Sequence, residues 1–313
     1  MVSLKKDLLK LSDDLVCCQT CPRQCKVNRV EGEVGYCNSD AGFYIESICV
    51  HKGEEPVLSG ENGICNVFIS HCNLQCIYCQ NYQISENSSK EGNYKTLELI
   101  IAGITKLLDG GCEAVGFVSP SHFIPQMIMI IEALHGQGRH PTIVYNSNGY
   151  DRPETIRRLD GIIDIYLPDF KYMSSDLSSL YSDAPDYAEF ATKAIKEMYN
   201  QKGSKLFMND QGRAESGLII RHLVLPGHAE ESIKVLRYIA EEISFKVHIS
   251  LMSQYYPTKK MSDHPVLNRT LFEHEYKLVV EEMDQLGFIN GWIQESGSTT
   301  TYRPDFNKEH PFE

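Results

Sequence analysis

No stretch of this sequence approaches the roughly 18 consecutive apolar residues that a membrane-crossing helix needs, and no internal repeat or low-complexity run is found. Positive charge is also in short supply: 30 Lys and Arg stand against 42 Asp and Glu, a formal net charge of −12. That balance argues against a general grip on nucleic acid or anionic membranes, which are held by basic surface. The opening segment, MVSLKKDLLKLSDDLV, carries acids and lacks the long apolar core of a secretory leader. The expectation is a cytoplasmic protein without membrane attachment. Hydrophobic residues make up 42% of the chain and charged residues 23%, a globular balance. A chain of 313 residues suits one large domain or two modest ones.

Cysteine, by contrast, is abundant. There are 11, although disulfides are rare in the cytoplasm. Cys17, Cys49, Cys65 and Cys112 are scattered, and small buried hydrophobes are expected there. The others form two clusters, which in a reducing compartment points to metal. The denser cluster lies in SHCNLQCIYCQNYQIS (70–85), with Cys72, Cys76 and Cys79 spaced C-x3-C-x2-C. At this cysteine frequency roughly 0.01 chance occurrences of that spacing are expected along the chain. Three thiolates are one short of closing a tetrahedral zinc site or fully ligating a [4Fe–4S] cluster. A cubane held by three cysteines keeps one iron open to another ligand, and chemistry can occur there.

Around the triplet the pattern is α/β. CNVFIS (65–70) is a β-rich run leading into the cysteine loop, and TLELIIAGITKLLDGG behind it has helical periodicity with a glycine stop. Further β-branched or aromatic runs are AVGFVS (114–119), TIVYN (142–146), IDIYLPD (163–169), LIIRHLVL (218–225) and KVHISLM (246–252). Helical patterns alternate with them, in IPQMIMIIEALHG, PETIRRLDG, YAEFATKAIKEMYNQ and EESIKVLRYIAEEI. This alternation predicts a parallel sheet with right-handed crossovers. In barrels of this kind the site lies at the C-terminal ends of the strands. Polar residues gather at those ends: SPSH (119–122), NSNGYD (146–151), PDFKY (168–172) and SLMSQYYP (250–257). Alternation puts Asp169 and Lys171 on one side and Phe170 on the other. Arg221 and His222 interrupt an apolar strand, and if buried they need partners, which a carboxylate or ribose ligand would supply.

With Tyr78 before the last cysteine, the triplet resembles the signature of the radical S-adenosylmethionine (radical SAM) superfamily. CQNYQIS, FVSPSHFIPQ, YNSNGYD, IYLPDFKY, IRHLVLPGH and SLMSQYYP together resemble the pyruvate formate-lyase-activating-enzyme-related branch, over about residues 18–306. The resemblance implies a partial (β/α)6 barrel with a short Cys-rich N-terminal extension. It implies a [4Fe–4S] cluster on Cys72, Cys76 and Cys79, with S-adenosylmethionine on the open iron. An external one-electron reductant of flavodoxin or ferredoxin type is the implied partner. The implied enzyme is an oxidoreductase that reductively cleaves S-adenosylmethionine to a 5′-deoxyadenosyl radical. That radical takes hydrogen from a small-molecule or protein substrate. By the same resemblance NSNG and LPDFK occupy the places of the activators' D-T-N-G-like and D-L-K segments. Asn148, Asp169, Lys171 and Arg221 thereby become candidate cofactor contacts, together with Tyr78.

Two departures qualify that picture. SPSH stands where activators carry a G-G-E-like segment, which makes Ser119 and Ser121 the candidates for holding the methionine ammonium. Asn146 replaces the activators' aspartate. Installation of a glycyl radical on a partner enzyme is therefore the second reading, and a non-catalytic iron–sulfur or zinc module the third.

The other cluster, CQTCPRQCKVNRVEGEVGYC, holds Cys18, Cys21, Cys25 and Cys37. Four thiols can close one tetrahedral site, and the glycines of EGEVGYC suit a tight turn delivering the last. Zinc and an auxiliary cluster both fit, Cys-Pro favouring iron–sulfur. The expected organisation is a Cys-rich extension over 1–60, the barrel over 61–295 and a tail over 296–313.

Overall fold

The computed structural model describes residues 13–88, 92–295, 303–308 and 310–312. Most of the opening segment and the first residues of the tail lie outside them. No helix of the described residues is long and apolar enough to cross a membrane.

Among the described residues nine strands form the sheet: β1 (Ile45–His51), β2 (Ile64–Ile69), β3 (Ala114–Val118), β4 (Thr142–Asn146), β5 (Ile165–Tyr166), β6 (Phe207–Met208), β7 (Ala214–Leu223), β8 (His248–Met252) and β9 (Gly291–Ile293). The path runs β1-β2-β3-β4-β5-β7-β8-β9, with β6 beside β7. Pairing is parallel from β2 to β9, and β1 joins β2 antiparallel. β1 and β9 are the two ends of this path, so the sheet is open. All six expected strands are present, the fourth cut to two residues because Pro168 interrupts the ladder.

Three strands, β1, β6 and β9, extend the expected set, and the first of them crosses an expected boundary. β1 lies within the stretch assigned to the extension, yet it pairs with β2 over residues 45–51. Strand pairing thus crosses the division expected at residue 60. β9, only three residues long, is too short to carry a periodic signal.

Helices cover the outer face. Leu97–Asp109 starts where the Thr96 side chain accepts the Leu99 N–H, and it buries Ile100, Ile101 and Ile104. Each such isoleucine contributes about 1.5–3 kcal/mol of burial. Ile124–Gly136, Pro153–Arg158, Tyr187–Lys202 and Ala229–Tyr238 occupy the other expected crossovers, and Ser175–Ser182 and Glu273–Gln285 add two more helices.

The inner face is layered. Ile64, Ala114, Val144, Ile165 and Ile219 form an apolar floor under Leu58. Two residues further along the strands stand Asn66, Asn146, Leu167 and Arg221, three of them polar. Above them the chain turns into the cysteine loop.

Candidate active site

The cysteine loop leaves β2 through His71, whose φ of 66° turns the chain sharply. Its amides and carbonyls are then clamped from outside. The Gln75 side-chain amide donates to Leu74 O (2.9 Å) and Ser85 O (3.1 Å), and Asn87 N–H donates back to Gln75 Oε1 (3.2 Å). Ile77 N–H donates to Tyr181 O at 2.9 Å, tying the loop to the end of the helix Ser175–Ser182.

Each sulfur receives a donor. Cys72 Sγ accepts from Leu74 N–H (3.4 Å) and Asn148 Nδ2 (3.3 Å), Cys76 Sγ from Ser182 Oγ (3.0 Å), and Cys79 Sγ from Ser85 Oγ (3.2 Å). Burial pushes the Cys72 thiol up to about 12 and the Cys76 thiol to about 11, and it raises Cys79 too. The Lys171 ammonium works against burial at Cys76 and Cys79. The donors and the ammonium offset only part of that burial, so the thiols stay protonated until a cation takes the place of the proton.

All three cysteines line a cavity of about 400 Å³. Tyr78, Ser119, Asn148, Asp169, Lys171 and Arg221 line it as well. Ser121 does not: it is buried beside Tyr145 and Asp151. Ser119 takes a left-handed conformation, with φ 55°, and donates its N–H to Asn146 O. Gly149, with φ 80°, lets NSNG close on β5, since a Cβ there would lie 2.1 Å from Asp169 O.

One wall of the cavity is an ion network. Lys171 Nζ lies 2.7 Å from Asp169 Oδ2, and Arg221 Nε 3.0 Å from Asp169 Oδ1. Arg221 Nη1 meets Glu54 Oε2 at 3.0 Å, and Nη2 donates to Asn146 Oδ1 at 2.7 Å. Burial works to raise the Asp169 carboxyl, but Lys171 and Arg221 together hold it below the ordinary range. Arg221 thus finds its partners within the protein, where a ligand was expected to supply them. His222 points to the opposite face, hydrogen-bonded through Nδ1 to Phe170 O at 2.6 Å. Burial lowers it to about 4, so it stays neutral.

The sequence profile of the radical SAM superfamily matches residues 66–243, more than half of the chain. The chain belongs to the radical SAM superfamily. Two relatives are uncharacterized proteins of Methanocaldococcus jannaschii. MJ0674 is 29% identical over 84% of this chain and 73% of its own length. MJ0808 is 20% identical over 93% and 86%. Among solved structures, HydG, a maturase of the [FeFe]-hydrogenase, aligns with a TM-score of 0.50 and 14% identity. It covers 72% of this chain, which spans half the length of that structure. At that identity the likeness is one of fold. The radical SAM family implies an enzyme, a [4Fe–4S] cluster, S-adenosylmethionine and an external reductant.

Among the cavity residues of this radical SAM chain that the sequence did not single out are two acids, Glu54 and Glu55, from KGEEP. Their only sequence signal was an acidic pair before a proline. Glu54 Oε1 accepts from Asn66 Nδ2 (2.8 Å), and Glu55 is 7% exposed with no hydrogen-bond partner at Oε2. Burial raises the Glu55 carboxyl, against the pull of Arg221.

The N-terminal cysteines lie beside the triplet's loop. Burial pushes the Cys21 thiol well up, and Cys37, Cys18 and Cys25 add to the effect. Cys25 Sγ accepts from Tyr36 N–H at 3.3 Å, and Gly35 permits that approach, since a Cβ there would lie 2.6 Å from the sulfur. Arg23 docks the segment by donating to Asn73 O (3.0 Å) and Asp183 O (2.6 Å). Among the described residues, no three His, Cys, Asp or Glu side chains are drawn together as the ligands of one metal ion. Cys49, Cys65 and Cys112 are buried as expected, but Cys17 is exposed, on the solvent side of the turn that buries Cys18.

Proposed function

We propose that Cys72, Cys76 and Cys79 hold the [4Fe–4S] cluster and that the adjoining cavity takes S-adenosylmethionine. The observation that carries this reading is the set of three sulfurs, one buried at Cys72 and two half-buried at Cys76 and Cys79, each met by a hydrogen-bond donor and all opening on one cavity. When bound, cluster and cofactor supply a 5′-deoxyadenosyl radical for hydrogen abstraction. Asn148 orients Cys72 by a donated amide hydrogen and is itself held by Asn73 Oδ1 at 2.7 Å. Lys171 offers an ammonium to the cofactor carboxylate, and Asp169 accepts from ribose hydroxyls. Glu55, with an unpartnered oxygen at the cavity wall, takes the cationic end of the ligand, the part assigned by sequence to Ser119 and Ser121. Tyr78 and the floor residues exclude water.

The strand-end segments support a place near the glycyl-radical activators, and the Glu54–Arg221–Asp169–Lys171 wall is compatible with oxidoreductase chemistry on a small molecule or a protein. Structural zinc or an auxiliary cluster is assigned to Cys18, Cys21, Cys25 and Cys37. The test is anaerobic reconstitution of the full chain with iron and sulfide. Wild type takes up about four irons at the barrel site and, with a strong reductant, releases 5′-deoxyadenosine. A Cys72/Cys76/Cys79 triple alanine variant with unchanged iron content would sink the assignment.

A further inference from the structure

Cys76 stands at the end of a line of hydroxyl groups. Ser182 Oγ donates to Cys76 Sγ at 3.0 Å, Tyr172 OH lies 2.9 Å from Ser182 Oγ, and Tyr78 OH lies 2.5 Å from Tyr172 OH. All three side chains are at least nine-tenths buried, with Ser182 at 0%, Tyr172 at 1% and Tyr78 at 5% exposure. Three separate elements meet here: the cysteine loop, the segment after β5 and the last turn of the helix Ser175–Ser182. The Ile77 N–H to Tyr181 O bond and the Gln75 N–H to Ser182 O bond (3.4 Å) hold that last turn against the loop.

Each hydroxyl has one hydrogen, and this fixes the direction of the line. A cysteinate sulfur can only accept, so the Ser182 hydrogen is committed to Cys76. Tyr172 must then donate to Ser182, and Tyr78 to Tyr172. Bonds aligned head to tail polarise one another, so the terminal Ser182 bond is stronger than an isolated serine would make it. The other two sulfurs lack such backing. Cys79 receives Ser85 Oγ, and Cys72 receives two nitrogen donors.

We propose that Tyr78, Tyr172 and Ser182 form a directional hydroxyl relay that stabilises negative charge on the Cys76 sulfur and so sets the reduction potential of the cluster it ligates. This rests on the assignment of Cys76 as a cluster ligand. Hydrogen bonds to ligand sulfurs favour the reduced, more negative cluster and raise its potential. The three residues are positioning residues, since they act through Cys76. Tyr78 also lines the cavity, so the head of the relay lies next to the ligand pocket.

The test is a redox titration of the reconstituted full-length protein, followed by electron paramagnetic resonance, with iron content measured on each sample. Ser182→Ala shifts the potential to more negative values, Tyr172→Phe shifts it less in the same direction, and Tyr78→Phe least. Tyr172→Phe added to Ser182→Ala moves it no further, because the link is already cut. A shift in Ser182→Ala with none in Tyr172→Phe overturns the relay, as does an additive double variant. If Ser182→Ala takes up no iron, the two tyrosine variants, each lacking a single oxygen, decide the matter. Normal iron content with unmoved potentials in all variants rejects the relay alone. Absence of iron from wild type rejects the cluster assignment and the relay together.

Discussion

The two cysteine sets lie side by side, yet their surroundings differ. Around Cys72, Cys76 and Cys79 the sulfurs face side-chain donors, Asn148 and Ser182 from distant parts of the chain and Ser85 from the same segment, and one wall is open to a cavity. Around Cys18, Cys21, Cys25 and Cys37 the partners come from the same segment, the Tyr36 amide donating to Cys25 and the Thr20 hydroxyl lying 3.6 Å from the Cys18 sulfur. None of these four lines the cavity. Thiols with donors and open space suit a group that exchanges ligands; thiols away from the cavity suit one that does not.

The largest expected effect separates the two sets outright. Alanine at Cys76 abolishes barrel iron, whereas the first set keeps its metal. Elemental analysis of the triple alanine variant then reads the other site: about one zinc per chain supports a structural zinc, and iron without zinc assigns an auxiliary cluster.

Stability comes next. Arg23 ties the first set to the Asn73 carbonyl, within the triplet's own loop. Substituting Cys21 by alanine is expected to lower the melting temperature and to lower iron uptake at the triplet as well. Iron uptake unchanged despite a lower melting temperature would mean that the two sets are mechanically independent.

The third effect concerns Asp169→Asn. An Asp169–Lys171 pair at an exposed rim would be worth little. In the structure Asp169 bridges Lys171 and Arg221, with its side chain 21% exposed. Both readouts are therefore expected to move. Affinity of the folded protein for S-adenosylmethionine falls about tenfold, or about 1.4 kcal/mol, and the melting temperature falls too. Calorimetric titration beside a thermal melt checks this, and unchanged affinity removes Asp169 from the site.

The smallest effect is in pH. Burial raises the Cys76 and Cys72 thiols from an ordinary value of 9.0 to about 11 and about 12 in the metal-free chain. A raised folded value means that this contribution to stability is complete below pH 9 and is lost as pH climbs toward 12. The metal-free chain is thus expected to lose stability above pH 9, while the metal-loaded triplet, already deprotonated, loses less. Chemical denaturation at several pH values checks the difference.

The strands, the crossover helices and the triplet were legible in the sequence because each is a local pattern, set by a period of 2, a period of 3.6 or a cysteine spacing. Alternation also separated Asp169 and Lys171 from Phe170, which is fully buried. It could not supply partners. Arg221 was read as waiting for a ligand because Glu54 lies 167 residues away in the chain and Asn146 lies 75 away. Ser182 carried no signal at all, although its hydroxyl reaches Cys76 across 106 residues. By itself the sequence determined the order of the elements and the three cysteines at the end of β2, since those depend on neighbours along the chain. Only the tertiary structure decided which side chains meet the sulfurs and which satisfy Arg221. Those pairings come from the curl of the sheet, which brings distant strand ends around one cavity.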